Sequence, residues 1–155
     1  MTERIFFEDI DVGAVGPPFV RKTDFMNWNR YAAVNDEFIY VHMDDEAGRA
    51  SGQAGAFGMG NLRWSYVFNA IRAWLGDEAE IREVGIQFRA VNNKNDELRT
   101  YLRVTDKVLE DGLLRLEVNV FNQDGQGTSP GHAIVALPSK SVAAPTRDPL
   151  QSAGS

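Results

Sequence analysis

The sequence predicts an α+β domain in which an antiparallel sheet wraps around one long central helix. Three observations carry this. Residues 58–75 place apolar side chains at helical spacing, with no Asp or Glu among them. The half of the chain that follows alternates apolar and polar residues with a period of two. Two turn signals, Asp111-Gly112 and Asp124-Gly125-Gln126-Gly127, cut that half into strands with short connections. A helix with one apolar stripe, followed by a meander, buries the stripe on one face of the sheet.

The bulk properties set the frame. At 155 residues the chain fits one domain with a real core. Hydrophobic content of 43% and charged content of 25% are ordinary for a globular protein. The 16 basic and 22 acidic residues leave a net charge of −6, which argues against nucleic acid or an anionic membrane as partner. An anionic substrate stays open, because a few local cations can hold a phosphate. Without cysteine there is no disulfide framework, thiolate nucleophile or zinc–cysteine site. The first residues, MTERIFFEDI, carry charges where a signal peptide needs an unbroken apolar core. No run approaches the ~20 apolar residues of a membrane-spanning helix. A cytoplasmic enzyme or binding module is the expectation. No phosphate-binding glycine loop, dinucleotide fingerprint or metal-ligand cluster stands in the sequence, so no cofactor and no metal are expected.

Taken in order, the chain opens with a short strand-like piece, Ile5-Phe6-Phe7, and turn-rich Asp11-Val12-Gly13 and Gly16-Pro17-Pro18. Phe19-Val20 is a second short apolar piece. Thr23 or Asp24 then suits an N-cap, and Phe25, Trp28, Tyr31 and Ala32 predict a helix of about three turns ending near Val34. Asn35-Asp36 is a natural helix exit. Residues 35–57 hold no long periodic pattern. Asp44-Asp45-Glu46 can start a helical turn by favouring its positive end, and the small residues from 47 to 56 fit a close backbone approach.

The long helix over 58–75 would span ~27 Å. Met59, Trp64, Val67, Phe68, Ile71, Trp74 and Leu75 form its stripe, with Leu62 beside it, and Gly76 ends it. Strands are expected over 81–90, over 98–108, after Asp111-Gly112 through Leu114, Leu116, Val118 and Val120, and around 132–137. The domain is thus expected over 1–137. The tail 138–155, rich in Ser, Ala and Pro, reads as extended or flexible. A sheet wrapped in this way around one helix is the hot-dog architecture.

The chemistry concentrates in residues 31–60. Asp36 and His42, one of two histidines, lie six residues apart in an irregular loop that leads into the apolar helix. Tyr31, Asn35-Asp36, His42, Asp44, Ala47 and Gly58-Met59-Gly60 follow one another in an order that resembles the MaoC-like family of hot-dog enoyl-thioester hydratases and dehydratases. Phe7-Glu8-Asp9-Ile10-x-Val12-Gly13 is similar to that family's opening, and Phe88-Arg89-Ala90-Val91 with Asp96-x-Leu98 to its strand and turn. The resemblance covers residues 5–137. Three features depart from the family: an Asp-to-His separation of six instead of five, Phe38-Ile39-Tyr40-Val41 where Asn-Pro is usual, and Gly-Met-Gly where Ala-His-Gly is common.

The resemblance implies reversible addition of water to a trans-2-enoyl thioester of coenzyme A or an acyl-carrier protein. A histidine, with an ordinary pKa near ~6.5, exchanges a proton near neutral pH. Asp36 would hold the water and exchange the second proton. Gly60, with Gly58 and Met59 beside it, would offer backbone N–H groups to the thioester oxygen as it becomes an enolate. The resemblance also implies a homodimer or a hetero-oligomer with another hot-dog subunit.

Plainer roles suit several residues. Asp44 reads as a cap and His132 as structural, while Trp64, Phe68 and Trp74 read as core or interface. Arg89 and Lys94 could meet a coenzyme A phosphate, though exposed cations seldom act so specifically. The alternative function is a non-catalytic hot-dog subunit that binds an acyl group or completes a partner's pocket. A hot-dog thioesterase would need a carboxylate on the long helix, which has none.

Overall fold

The computed structural model describes residues 4–140. Five strands form one antiparallel sheet in the order β1-β3-β4-β5-β2, where β1 is Phe19–Lys22, β2 Glu80–Ile86, β3 Glu97–Val108, β4 Leu113–Phe121 and β5 Gly127–Ala136. Three helices accompany it: α1 (Phe25–Asn35), α2 (Asp45–Ala50) and the 16-residue α3 (Gly60–Leu75). The sheet curls around α3, which contacts β1, β2 and β3. This is the hot-dog fold.

The period-two reading of the sequence is realised pair by pair. Thr100, Leu102 and Val104 of β3 oppose Val120, Val118 and Leu116 of β4, and all six are buried. Because successive side chains leave a strand on opposite faces, one register places the whole apolar set against α3. From the helix, Leu62, Tyr66, Val67, Ala70, Ile71 and Leu75 meet them. Burying each large aliphatic side chain contributes roughly 1.5–3 kcal/mol before the entropy of ordering is subtracted. Among the described residues, no helix is long and apolar enough to cross a membrane.

Four expectations are corrected by tertiary contacts. Ile5-Phe6-Phe7 is not a strand, because the chain turns through a 3-10 helix at Phe7–Asp9. The Asp9 carboxylate accepts from the Phe6 amide (3.1 Å), and Lys107 donates to the Phe7 carbonyl (2.8 Å). The strand expected to run to residue 90 stops at Ile86. The next residue's amide donates to the Pro130 carbonyl, but proline has no N–H to return, so the regular ladder breaks there, and the Arg89 and Ala90 amides rejoin β5 only at the Thr128 carbonyl. Trp64 and Phe68 lie outside the buried stripe, one residue (about 100°) round α3 from Arg63 and Val67. Finally, α3 begins at Gly60 and not at Gly58.

The tail begins tied down. Phe7 N–H donates to the Pro138 carbonyl (2.9 Å), and Lys140 N–H donates to Glu8 (3.0 Å). The rest of the expected tail, 141–155, lies outside the described residues.

Candidate functional site

Three helix caps set the loop that carries Asp36 and His42. Asp24 caps α1, its carboxylate accepting from the Asn27 amide (3.0 Å). Trp28, fully buried, donates its indole N–H to the Thr23 hydroxyl and anchors α1 on the core. Asp36 closes α1 in the left-handed conformation (φ 53°), one that aspartate tolerates better than most residues. Asp44 then caps α2, accepting from the Ala47 amide (2.7 Å), as its sequence position leads one to expect.

Between these caps His42 sits in a 3-10 turn, Tyr40–His42, and is half-buried. Its Nδ1 lies 2.7 Å from the Phe57 carbonyl oxygen, and the imidazole meets the Phe57 ring edge to face. A carbonyl only accepts, so Nδ1 carries the proton, and in the neutral ring Nε2 presents its lone pair. Asp36 is exposed, and its carboxylate makes no hydrogen bond or ion pair among the described residues, so none joins it to His42.

The segment from Phe57 to Gly60 is stapled on both sides. The Phe57 amide donates to the Val41 carbonyl, Phe57 bridges Asn93, and the Gly58 amide donates to the Asn92 carbonyl (2.8 Å). The Gly58 N–H is therefore spent and cannot serve an oxyanion. A Cβ on Gly58 would sit 2.1 Å from the Asn92 side chain, so this approach requires glycine. Met59 is the N-cap of α3, with its side chain fully buried in the core and no side-chain cap hydrogen bond. The first-turn amides of α3, Gly60 foremost, lack intrahelical partners and point their positive end outward.

An open cleft of about 560 Å³ lies beside this helix start, lined by Phe57, Gly58, Gly60, Arg63, Phe88 and Arg89 among others. Asp36 and His42 do not line it, but Phe57 is shared by both places. Arg63 is a residue whose role the sequence hides. It is 4% exposed, donates to the Ala90 carbonyl (2.5 Å) and the Thr128 carbonyl (3.4 Å), and lies over the Phe88 ring. Burial pushes its guanidinium down to about 10, so it stays charged at neutral pH.

Glu37 is the other residue passed over. It is half-buried, and its Oε2 accepts from Asn61 Nδ2 (3.4 Å) in the first turn of α3. Its charge also reaches Tyr31, whose hydroxyl is pushed above its ordinary pKa first by burial and then by Glu37. Glu37 stands five residues before His42. Counting back from the histidine by the separation usual in the resembled family would have found it.

The remaining candidates have structural partners. Lys94 pairs with Asp45 (2.9 Å) and lies over the Phe25 ring, while exposed Arg89 donates to Gln87. His132 is exposed beside Glu83 (2.7 Å). Among the described residues no group of three His, Cys, Asp or Glu is placed to hold a metal.

The fold is shared with hydratases and dehydratases. The (R)-hydratase PhaJ1 of Pseudomonas aeruginosa superimposes with a TM-score of 0.82 at 21% identity, covering 88% of this chain and 88% of that one. The ChsH1–ChsH2 complex of Mycobacterium tuberculosis gives 0.76 at 23% identity, over 82% and 98%. A MaoC-like dehydratase of Rhodospirillum rubrum gives 0.71 at 16%, over 86% and 97%. At these identities the likeness establishes the hot-dog fold. No protein-family profile matches the chain. No curated protein matches it either.

Proposed function

We propose that the protein is an enoyl-thioester hydratase that also runs the reverse dehydration of 3-hydroxyacyl thioesters. One observation carries the reading: His42, locked by Phe57 with Nε2 free, stands beside a helix start whose first amides are uncapped. In hydration, water adds its oxygen to C3 as a base removes its proton. The electrons move onto the thioester oxygen, and the resulting enolate takes a proton at C2. His42 Nε2 and a carboxylate from the Asp36-Glu37 pair that closes α1 carry these two protons. The Gly60 amide, at the positive end of a 16-residue helix, holds the enolate oxygen. The cleft beside Gly60 takes the thioester arm, of coenzyme A or of a carrier protein.

The likeness to (R)-hydratases supports the reaction class, and the likeness to a two-subunit hot-dog complex supports assembly as a homodimer or with a second hot-dog subunit. A panel of trans-2-enoyl-CoA esters, followed by loss of enoyl absorbance, tests the reading. Wild type turns over at least one ester, and His42→Ala lowers kcat by ~10²–10⁴-fold with the fold intact. Undiminished activity in His42→Ala rejects it.

The second reading is a non-catalytic hot-dog subunit, favoured by the exposure of Asp36 and the absence of a bond from it to His42. It expects turnover only after a second subunit is added, with that subunit's own acid–base residues essential.

A further inference from the structure

We infer that Glu37, and not Asp36, supplies the carboxylate of this site; the inference rests on the hydratase reading above. The two acidic neighbours are separated by how α1 ends. Asp36 occupies the left-handed cap, its amide returning to the Ala32 carbonyl, and its exposed side chain has no partner among the described residues. Its position demands a residue that tolerates positive φ, and that demand accounts for aspartate there.

Glu37 leaves the cap in the other direction. Its amide also returns to Ala32 (3.1 Å), and its half-buried side chain turns toward the first turn of α3. There Asn61, directly after Gly60, donates to Oε2 at 3.4 Å. His42 is held at Phe57, just before the same helix start. Glu37 and His42 therefore grip the two ends of one short segment, 57–61, with the Gly60 amide between them. An ionised carboxylate offers about four acceptor positions. The one long bond from Asn61 leaves the others open to a water, and among the described residues no cation pairs with Glu37.

Three variants assayed on the same enoyl-CoA panel test this: Glu37→Gln, Asp36→Asn and His42→Ala, each with its thermal midpoint. Glu37→Gln keeps an oxygen that accepts from Asn61, so a merely structural role would survive it. The expected result is a ~10²–10⁴-fold fall in kcat for Glu37→Gln at an unchanged midpoint, and a far smaller fall for Asp36→Asn. If Asp36→Asn falls and Glu37→Gln does not, the inference is overturned while the hydratase reading stands. If both retain activity and His42→Ala is dead, neither acid carries a proton and the inference is again overturned. An inert wild type or an active His42→Ala removes the hydratase reading and the inference with it.

Discussion

His42 Nδ1 donates to the Phe57 carbonyl oxygen at 2.7 Å, and the two rings meet at 87° with centroids 5.0 Å apart. One contact therefore fixes tautomer, ring orientation and the path of the helix approach together. His42→Asn keeps a side-chain N–H near the position of Nδ1 and removes Nε2. Its expected stability is close to wild type, whereas His42→Ala loses the bond and about 1 kcal/mol in a denaturant titration. Both variants are expected to lose turnover on the enoyl-CoA panel, which would separate the loop's anchor from its chemistry.

The two glycines at the start of α3 respond differently to a methyl group. At Gly58 a Cβ meets the buried Asn92 side chain at 2.1 Å, and at Gly60 it meets the Phe88 ring at 2.7 Å. Phe88 is 50% exposed and can swing away. Gly58→Ala is expected to cost roughly 1–3 kcal/mol of stability. Gly60→Ala is expected to cost less and to raise KM, because the displaced ring enters the cleft. Denaturant midpoints and steady-state kinetics on the same preparations check both.

Asp45 ties the glycine-rich approach to the 93–96 turn. Its carboxylate accepts from Lys94 (2.9 Å) and from the Ala56 amide (3.0 Å), which together hold its pKa below the ordinary 3.8, Lys94 contributing most. A depressed carboxylate stabilises the folded state above its unfolded value, and that contribution disappears as pH falls through the folded value. Protection of the Ala56 amide from hydrogen exchange should therefore be steady from neutral pH to about pH 5 and fall below about pH 4. Asp45→Asn should show the weakened protection already at neutral pH.

Trp64 and Phe68 stand side by side on the outer face of α3, ring centroids 6.2 Å apart, 40% and 36% exposed. Paired large aromatics on a surface mark an interaction site more often than they are left bare. If the protein assembles as proposed, the double variant Trp64→Arg with Phe68→Arg is expected to shift it toward monomer in sedimentation velocity. An unchanged assembly places the interface elsewhere, on the edge strand β2 for example.

What was legible in the sequence was whatever depends on neighbours along the chain. The alternation of Leu98, Thr100, Leu102 and Val104 defined a strand and its buried face. Asp44, Gly76 and Gly112 marked the ends of their elements, and Thr23 or Asp24 the start of α1, because caps and positive φ are local demands. The hot-dog order followed from a helix and a meander that must share one apolar face.

What only the tertiary structure decided lies where distant segments compete for the same polar groups. Gly58 sits outside α3 because Met59 after it holds extended backbone (ψ 139°), and the Asn92 carbonyl staples Gly58 to the neighbouring turn through its N–H. Arg63 enters the core, a place its charge argues against, because the carbonyls of Ala90 and Thr128 both receive its Nη1, although its buried Nε finds no partner among the described residues. Asp36 and Glu37 are chemically alike and adjacent, so no local rule separates them. The left-handed end of α1 turns one to solvent and the other toward Asn61, and that direction depends on where the distant start of α3 lies.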